Sequence, residues 1–479
     1  MDALTIKPTA HVVDVLGNVV GRDQPILRME KALEMVALLG EEVFADENVV
    51  FFDPFCKAGE LLLACAFHSC WAKSKSKTKI LDVDMVMKEI YQSNRYFGLA
   101  PDERHHRLSI RTFLGNEHSH NENFNHIIRD GHYLSEKDGK LDKEKFEREF
   151  KSMIEYINSK AKNRRIIAVG NPPYQEEDGG FGKSAKAVYG YFVNFVKKYD
   201  YISELIVVIP SRWFSGGKGL DQFRSDILES NQVRNLRAFK NPREVFPTVD
   251  INGGVCFLNI DKNHNGDCCY IDGKTELKVS LSELDAIPDD LMAYNLIEKT
   301  RKKIDAKMSD YVMARNPFGI TSTTLRNNGS GGKKIPCMIR ERKIIQIQES
   351  LVLKNKNLIN KWKVVVPAAV GGTKAVRDFL PVNQFFIVEP GIVLAETYII
   401  IGTFDTKTES EKLLSYLKTA FCRYFIGLRK LTQHLSKECW TWVPQVNFSK
   451  SWTDEDLFNF FNLTEKEQKH IIKTVKEWS

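Results

Sequence analysis

The chain has 479 residues, of which 43% are hydrophobic and 27% are charged, a balance typical of a folded globular protein with two or three domains. An acid stands where a signal peptide would carry basic residues, and no apolar run reaches the length of a membrane helix. These features argue against secretion and membrane insertion, and they predict a cytoplasmic protein. The nine cysteines include no CxxC pair, so neither a zinc site nor a disulfide framework is expected.

Positive charge is distributed unevenly along the chain. The net charge of the whole chain is +7. Residues 301–363 alone contain fifteen Lys or Arg and four Asp or Glu, a local excess of eleven positive charges. Such a basic zone fits a polyanion such as the DNA backbone, and the alternative is an ordinary solvated surface.

The first part of the chain alternates between predicted strands and predicted helices. Short apolar runs predict strands at residues 49–52, 95–99, 127–128, 166–170, 205–209 and 253–260. Helices are predicted at residues 59–72 and 189–198. Near-continuous apolar strands separated by helices favour an α/β architecture, with a parallel sheet covered on both faces. The charged, helix-prone stretch at 135–151 predicts a surface insertion without a catalytic role.

The pattern changes after about residue 275. Residues 327–332 are rich in Gly and Asn and predict a loop. The strands predicted beyond it lie at 363–366, 385–388 and 398–401, and the helices at 409–426 and 465–478. We therefore predict two domains, 1–275 and 276–479, of which the second is of the α+β class.

The motif Asn171-Pro172-Pro173-Tyr174 directly follows the predicted strand at 166–170. It thus lies at the carboxyl edge of the sheet, where open α/β folds bind ligands. The Asn171 side-chain oxygen and a backbone carbonyl can accept hydrogen bonds from an amino group, which frees the nitrogen lone pair to attack a sulfonium methyl. Pro172 and Pro173 stiffen the turn, and Tyr174 offers a flat ring on which an extruded base can stack. The motif predicts methylation of an amino group, and the alternative is a rigid turn without chemistry.

The segment Asp53-Pro54-Phe55-Cys56-Lys57-Ala58-Gly59 ends the first predicted strand and precedes a helix. Gly59 lets the backbone approach a nucleoside, and the amino terminus of the helix can face a carboxylate. The alternative is an ordinary strand-to-helix turn. Its position ahead of Asn171 in the same predicted sheet favours a nucleoside cofactor site.

These motifs resemble those of the N6-adenine DNA methyltransferases of bacterial restriction–modification systems, in particular the Eco57I-like branch with its gamma-type motif order. The resemblance covers most of the chain from about residue 45 onward. It is carried by residues 170–175, 179–185, 189–195, 209–220, 223–224, 245–247, 250–257, 396–398 and 452–454. It implies a Rossmann-like S-adenosylmethionine-dependent methyltransferase domain, followed by an α+β target-recognition domain.

The resemblance also implies residue roles. The residues implied to line the S-adenosylmethionine pocket are Asp53, Pro54, Phe55 and Gly59. Those implied to hold the target adenine are Asn171, Pro172, Pro173, Tyr174 and Phe246. Asp102 is the implied partner of the cofactor ribose, since Ala100 stands where an acid is first expected, and Asp130 is the implied partner of the cofactor adenine. The alternatives are a core aromatic for Phe246 and a surface turn for Asp130.

Two other segments depart from known motifs. Gly21-Arg22-Asp23-Gln24-Pro25 occupies the place of an amino-terminal motif that normally reads Thr-Pro. Gly182-Lys183-Ser184 resembles the end of a phosphate-binding loop, but Glu177 stands where that loop needs glycine, so no ATP site is predicted. On charge alone, the cations expected to contact DNA are Arg326, Lys333, Lys334, Arg340 and Arg342.

The sequence thus predicts an enzyme that transfers a methyl group from S-adenosylmethionine to N6 of adenine in duplex DNA by base flipping. The expected setting is a restriction–modification or related defence system, at the nucleoid. The expected partners are double-stranded DNA and a cognate restriction endonuclease, and no metal is predicted. The alternatives are a methyltransferase-like DNA-binding protein with weak or lost activity, and a methyltransferase of RNA or of protein glutamine.

Overall fold

The computed structural model describes residues 26–74, 83–114, 127–135, 140–176, 186–216, 219–247, 251, 253–288, 290–326, 331–370, 382–430 and 434–477. The chain divides into two compact units, Met1–Leu291 and Met292–Ser479. This division lies after the boundary predicted at residue 275, because the strand Thr275–Val279 still pairs within the sheet of the first unit. No helix in the described ranges is long and apolar enough to cross a membrane.

The first unit contains a nine-stranded sheet and a separate two-stranded sheet. Its strands are β1 (Val49–Asp53), β2 (Tyr96–Ala100), β3 (Ile128–Asp130), β4 (Arg165–Gly170), β5 (Gln175–Glu176), β6 (Lys186–Ala187), β7 (Ile202–Pro210), β8 (Val233–Phe239), β9 (Val255–Asp261), β10 (Cys268–Asp272) and β11 (Thr275–Val279). Its helices are α1 (Met29–Val36), α2 (Glu41–Ala45), α3 (Glu60–Lys73), α4 (Val83–Gln92), α5 (Glu103–Leu114), α6 (Lys143–Lys160), α7 (Tyr189–Lys198) and α8 (Asp221–Leu228).

The order of the strands defines where a ligand can bind. The nine-stranded sheet runs β11-β10-β8-β9-β7-β4-β1-β2-β3. In this sheet β7, β4, β1, β2 and β3 are mutually parallel, whereas β9 is antiparallel to both of its neighbours. The strands β5 and β6 form the separate, antiparallel pair. The order of the parallel strands reverses between β1 and β4, and this switch point is where open α/β sheets bind ligands. The predicted Rossmann-like α/β class is confirmed.

The polar stretch at 135–151 is not a surface insertion, and that prediction was wrong. Most of it belongs to α6, which begins after Asp142, whose side chain accepts a hydrogen bond from the Lys145 N–H at 2.9 Å. The helix buries the side chains of Phe146, Phe150, Met153, Ile154 and Ile157. These positions recur at helical spacing, so the charged residues between them form only the outer face.

The second unit has small sheets flanked by helices. Its strands are β12 (Lys334–Ile339), β13 (Lys343–Gln348), β14 (Trp362–Pro367), β15 (Phe386–Val388), β16 (Val393–Leu394) and β17 (Tyr398–Phe404). They form two sheets, of order β13-β12-β16 and β15-β14-β17. Its helices are α9 (Leu291–Lys303), α10 (Met308–Tyr311), α11 (Ser322–Arg326), α12 (Lys407–Lys418), α13 (Ala420–Arg429), α14 (Asp454–Phe460) and α15 (Glu465–Glu477).

The helix predicted at 409–426 is in fact two helices. Thr419 adopts an extended conformation between α12 and α13, and its side chain accepts a hydrogen bond from the N–H of Cys422 at 3.1 Å. A threonine in this position caps the following helix and ends the preceding one. The α+β class of this unit agrees with the prediction.

Candidate active site

The loop after β1 and the turn after β4 pack against each other at the switch point. A Cβ atom added to Gly170 would lie 2.7 Å from Cδ2 of Phe55 and 3.8 Å from Oδ1 of Asp53. Only a glycine allows the Phe55 ring to approach the end of β4 this closely. This packing brings the predicted cofactor loop, residues 53–59, against the Asn171-Pro172-Pro173-Tyr174 turn.

Hydrogen bonds fix the shape of the loop after β1. The Phe55 N–H donates to Oδ1 of Asp53 at 2.9 Å. The Tyr133 hydroxyl donates to the carbonyl of Pro54 at 3.1 Å. The loop ends at Gly59, whose φ of 75° is left-handed and whose added Cβ would lie 3.0 Å from the carbonyl oxygen of Ser109. A side chain at Gly59 would therefore be both strained and crowded.

Three charged side chains are buried together around this loop: Asp53, Lys57 and Glu60 are each at most 2% exposed. Burial raises the pKa of Asp53 well above its ordinary value, and nearby Glu60 raises it further. Burial also raises the pKa of Glu60. Burial lowers the pKa of Lys57 to about 7, although Glu60 and Asp53 favour its charged form. Clustered groups with perturbed pKa values are a common property of functional sites.

Glu60 also closes the loop around Lys57. One of its carboxylate oxygens accepts the Ala58 N–H at 3.2 Å, and the other accepts the Leu27 N–H at 3.3 Å. Glu60 therefore joins the loop to the segment that precedes α1.

The turn after β4 presents its side chains inside the protein. Asn171 is 1% exposed and Tyr174 is buried. The Phe246 ring meets the Tyr174 ring edge-on, with centroids 6.2 Å apart and planes at 70°. Phe246 is held at the end of a short helical turn, where its N–H donates to the carbonyl of Pro242 at 2.8 Å. The two aromatics predicted to hold a base are thus in contact.

Lys57 connects the two sides of the site. Its ammonium nitrogen lies 5.6 Å from the centroid of the Tyr174 ring, within the range of a cation–π contact. The hydroxyl of Tyr174 is buried and has no hydrogen-bond partner among the described residues. A ligand with a polar group can satisfy that hydroxyl.

The two acids predicted after β2 and β3 already bind neighbouring histidines. Oδ1 of Asp102 accepts the His105 N–H at 2.8 Å, and its Oδ2 lies 2.7 Å from Nδ1 of His105. Burial raises the pKa of Asp102, but the bonds from His105 outweigh it and hold the pKa below its ordinary value. Asp130 accepts the His132 N–H at 2.9 Å, and burial raises its pKa. Asp102 therefore caps α5. A cofactor hydroxyl that bonds to the Asp102 carboxylate would share that carboxylate with His105.

The sequence did not single out three residues of this site. Lys57 and Glu60 are ionisable side chains at the junction of an apolar strand and an apolar helix, and that placement predicts a buried charge. Tyr133 carries no local signal, because its role depends on the proximity of β3 to the loop after β1.

The five cations predicted to contact DNA all lie in the second unit and are exposed. Arg326 ends α11, and Lys334 begins β12. Lys333 lies 3.0 Å from a carboxylate oxygen of Glu349.

The remaining two of these cations, Arg340 and Arg342, belong to the tight connection between β12 and β13. Arg340 is 85% exposed, and its nearest carboxylate is that of Glu341, at 3.7 Å. The Arg342 guanidinium lies 4.0 Å from the Phe386 ring centroid and donates to the carbonyl of Asn383. The contacts of Arg342 therefore help to stabilise the fold, whereas Arg340 projects into solvent.

One cation of the basic zone is not available to a ligand. Lys363 is fully buried, and its ammonium donates to the carbonyls of Ile359 at 2.9 Å and Lys361 at 2.7 Å. Its charge must be left out of the surface excess of the segment 301–363.

Residues 94–246 match the family model described as Eco57I restriction-modification methylase. This part of the chain is similar to that family over about a third of the chain's length. The matched range contains Asp102, Asp130, the Asn171-Pro172-Pro173-Tyr174 turn and Phe246, and it begins after the loop that carries Asp53. The resemblance predicted from the sequence is confirmed for this range.

The chain is also similar to individual proteins. It is 29% identical, over 124 residues, to an uncharacterized adenine-specific methylase of Mycoplasma pneumoniae, a match that covers 25% of this chain and 29% of that protein. The match thus spans less than a third of the relative's length.

Two solved structures show a weak overall similarity. The type IIL restriction-modification enzyme MmeI in complex with DNA has a TM-score of 0.41 and 11% identity, covering 87% of this chain and 64% of that one. A putative class I S-adenosylmethionine-dependent methyltransferase of Listeria monocytogenes has a TM-score of 0.31 and 10% identity, covering 56% of this chain and 70% of that one. At these TM-scores the similarity supports no conclusion about the function of this chain.

Proposed function

We propose that the protein is a DNA methyltransferase that transfers the methyl group of S-adenosylmethionine to N6 of adenine in duplex DNA. The observation that carries the proposal is the contact between the loop after β1 and the Asn171-Pro172-Pro173-Tyr174 turn at the switch point of the sheet, with Phe246 edge-on to Tyr174. The family match of residues 94–246 and the adenine-specific relative support the choice of base. The proposed setting is a restriction–modification or related defence system with a cognate endonuclease.

The residues at the strand ends fit a cationic nucleoside cofactor. Asp53, Asp102 and Asp130 follow three neighbouring parallel strands, and carboxylates accept hydrogen bonds from ribose hydroxyls and amino groups. Burial and the neighbouring Glu60 raise the pKa of Asp53, and burial raises that of Glu60; a positively charged ligand beside them would favour their ionised forms. When bound, S-adenosylmethionine supplies a methyl group on a sulfonium, which is already electrophilic.

The chain's own residues orient the amino group of the target base. Asn171 and the backbone carbonyl of Pro172 accept its two N–H groups and direct its lone pair, while Pro172 and Pro173 contribute no N–H that would compete. Tyr174 stacks on the flipped base, with Phe246 against the edge of the Tyr174 ring. Burial of these side chains keeps water out of the site. Proximity and orientation then provide most of the rate enhancement, and no general base of unusual pKa is required.

Duplex DNA is the proposed polymer because the second unit carries a surplus of exposed cations. Arg326, Lys333, Lys334 and Arg340 are exposed and can neutralise backbone phosphates. We propose that residues 292–479 recognise the target, with Arg342 acting mainly to support the β12–β13 connection.

The substitution Asn171→Ala tests the proposed chemistry. Transfer of tritiated methyl to unmethylated genomic DNA should fall by about two orders of magnitude or more, since both accepting and orienting functions are lost. Circular dichroism and duplex binding should stay unchanged. Asn263→Ala, an exposed residue in the turn after β9, is the matched control and should retain full activity. Near-normal transfer by the Asn171 variant would contradict the assignment.

The choice of substrate needs a separate measurement. Wild-type protein is incubated with duplex DNA, RNA and a protein extract under identical conditions, and we expect label in DNA alone. Label in RNA or in protein glutamine would replace the proposed substrate and leave the role of Asn171 standing. Single-molecule sequencing of DNA from cells that express the protein then gives both the modified base and its sequence context.

A further inference from the structure

Lys57 is a buried cation shared by the two sides of the candidate site. It is 2% exposed, and its ammonium nitrogen lies 5.6 Å from the centroid of the Tyr174 ring. Two buried carboxylates interact with it, Asp53 from the end of β1 and Glu60 from the first turn of α3. Its charge therefore acts both on the two carboxylates proposed to face the cofactor and on the ring proposed to stack on the target base.

The backbone around Lys57 is held on both sides. The Cys56 N–H donates to the carbonyl of Leu99 at 3.0 Å, and the Ala58 N–H donates to Glu60 at 3.2 Å. Phe55 packs against Gly170. Moving the loop to take the ammonium away from Tyr174 would break these contacts, so the charge stays in an environment with little water, where electrostatic interactions are strong.

The substrate and the product of the proposed reaction differ by one charge. S-adenosylmethionine has a sulfonium, whereas S-adenosylhomocysteine has a neutral thioether at the same position. The methyl group must reach a base that stacks on Tyr174, so the sulfur has to approach the ring beside which Lys57 lies. A charged Lys57 opposes the sulfonium by Coulomb repulsion and leaves the thioether unaffected.

We propose that Lys57 determines how strongly the site discriminates between the cationic methyl donor and the neutral product. The charged form of Lys57 favours the product, and the neutral form admits the donor. This inference rests on the proposed function. The pKa of Lys57, lowered by burial to about 7, allows the change of form near neutral pH. Asp53 and Glu60 are the ionisable groups that face Lys57 from β1 and α3, and Tyr174 faces it from the turn after β4.

The test is isothermal titration calorimetry of the full chain with each of the two ligands. The measured quantity is the ratio of the Kd for S-adenosylmethionine to the Kd for S-adenosylhomocysteine, at about pH 6 and about pH 8, on either side of the lowered pKa. In the wild-type protein the ratio should fall about tenfold between these two conditions, from repulsion between two nearby charges. Lys57→Arg keeps a positive charge at both pH values, so its ratio should stay high. Lys57→Gln is neutral, so its ratio should stay low.

The variants separate Lys57 from the neighbouring acids. Asp53 and Glu60 are present in all three proteins, so any pH dependence that they cause also appears in Lys57→Gln. Circular dichroism checks the fold of each variant. If Lys57→Gln does not fold, the Kd ratios of the wild-type protein at the two pH values, compared with those of Lys57→Arg, still test the proposal. Equal ratios in all proteins at both pH values would overturn the role of Lys57 and leave the proposed function intact. If the wild-type protein binds neither ligand, the proposed function fails, and this inference fails with it.

Discussion

Replacing Phe146 tests whether α6 is part of the support of the candidate site. Phe146 is fully buried, and its ring lies at the centre of an aromatic cluster. The rings whose centroids lie between 4.9 and 5.8 Å from that of Phe146 belong to Phe55, Tyr133, Phe150, Phe192 and Phe195. Two of these, Phe55 and Tyr133, shape the loop that carries Asp53. The side chain of Phe146 therefore contributes both to stability and to the position of that loop.

The structure sets the size of the expected effect. Truncating a buried phenylalanine to alanine costs about 3–5 kcal/mol, because apolar contacts are lost and a cavity remains. Phe146 belongs at the upper part of this range, since edge-to-face and stacked ring pairs each add about 0.5–1.5 kcal/mol. The matched control is Lys151→Ala, an exposed residue of the same helix, which should change stability by no more than about 0.5 kcal/mol.

The assay is urea unfolding followed by circular dichroism, together with calorimetric titration of S-adenosylmethionine. We expect Phe146→Ala to lower the unfolding midpoint and to weaken ligand binding, because Phe55 loses its stacked neighbour. Phe146→Leu should restore most of both properties. A loss of less than about 1 kcal/mol for Phe146→Ala would contradict the supporting role of Phe146 and α6.

Two further predictions concern acids and bases outside this cluster. Asp102→Ala should cost about 1 kcal/mol of stability at neutral pH, because α5 loses the cap in which Asp102 accepts the His105 N–H. The pKa of Asp102 is held below its ordinary value. The extra stability of the wild-type protein over Asp102→Ala should therefore be present at neutral pH and disappear as the pH falls through that lowered pKa. Unfolding of both proteins at a series of acidic pH values measures this difference. Arg340→Ala should weaken duplex binding and reduce the dependence of log K on log salt concentration by about one unit. Arg342→Ala should chiefly destabilise the β12–β13 hairpin, because the contact of Arg342 with Phe386 is lost. Equal salt dependence in Arg340→Ala, Arg342→Ala and the wild-type protein would contradict the role of Arg340.

The parallel part of the fold could be predicted because its signals are local. The strands β1, β2, β4 and β7 each contain a short apolar run, and the turn after β4 carries its own motif. The strand β8 was missed, because Arg234, Asn235 and Arg237 interrupt its apolar residues and are only partly buried. Its pairing with β9 is a long-range contact that no local pattern contains.

The site was predicted in part for the same reason. Asp53 and Asn171 come directly after predicted strands, and the motifs around them, together with the family resemblance, predicted a site at the carboxyl edge of the sheet. The contact of Phe55 with Gly170 and of Lys57 with Tyr174 depends on β1 and β4 being neighbours, which is a property of topology. The predictions that fell on residues 21–25, 182–184 and 250 lie outside the described residues.

The buried triad of Asp53, Lys57 and Glu60 is difficult to explain by stability alone. Taking charged groups out of water costs several kcal/mol for each ion, and well-packed apolar residues of similar size are often as stable or more so. Asp53 and Glu60 accept backbone N–H groups and so shape the turn, but a rigid strand-to-helix turn does not require a buried lysine beside them. Their position at the switch point, beside the Tyr174 ring that both Lys57 and Phe246 contact, instead fits the proposed binding of a charged ligand. The same groups that make the loop costly to fold are those that allow it to distinguish a cation from a neutral molecule.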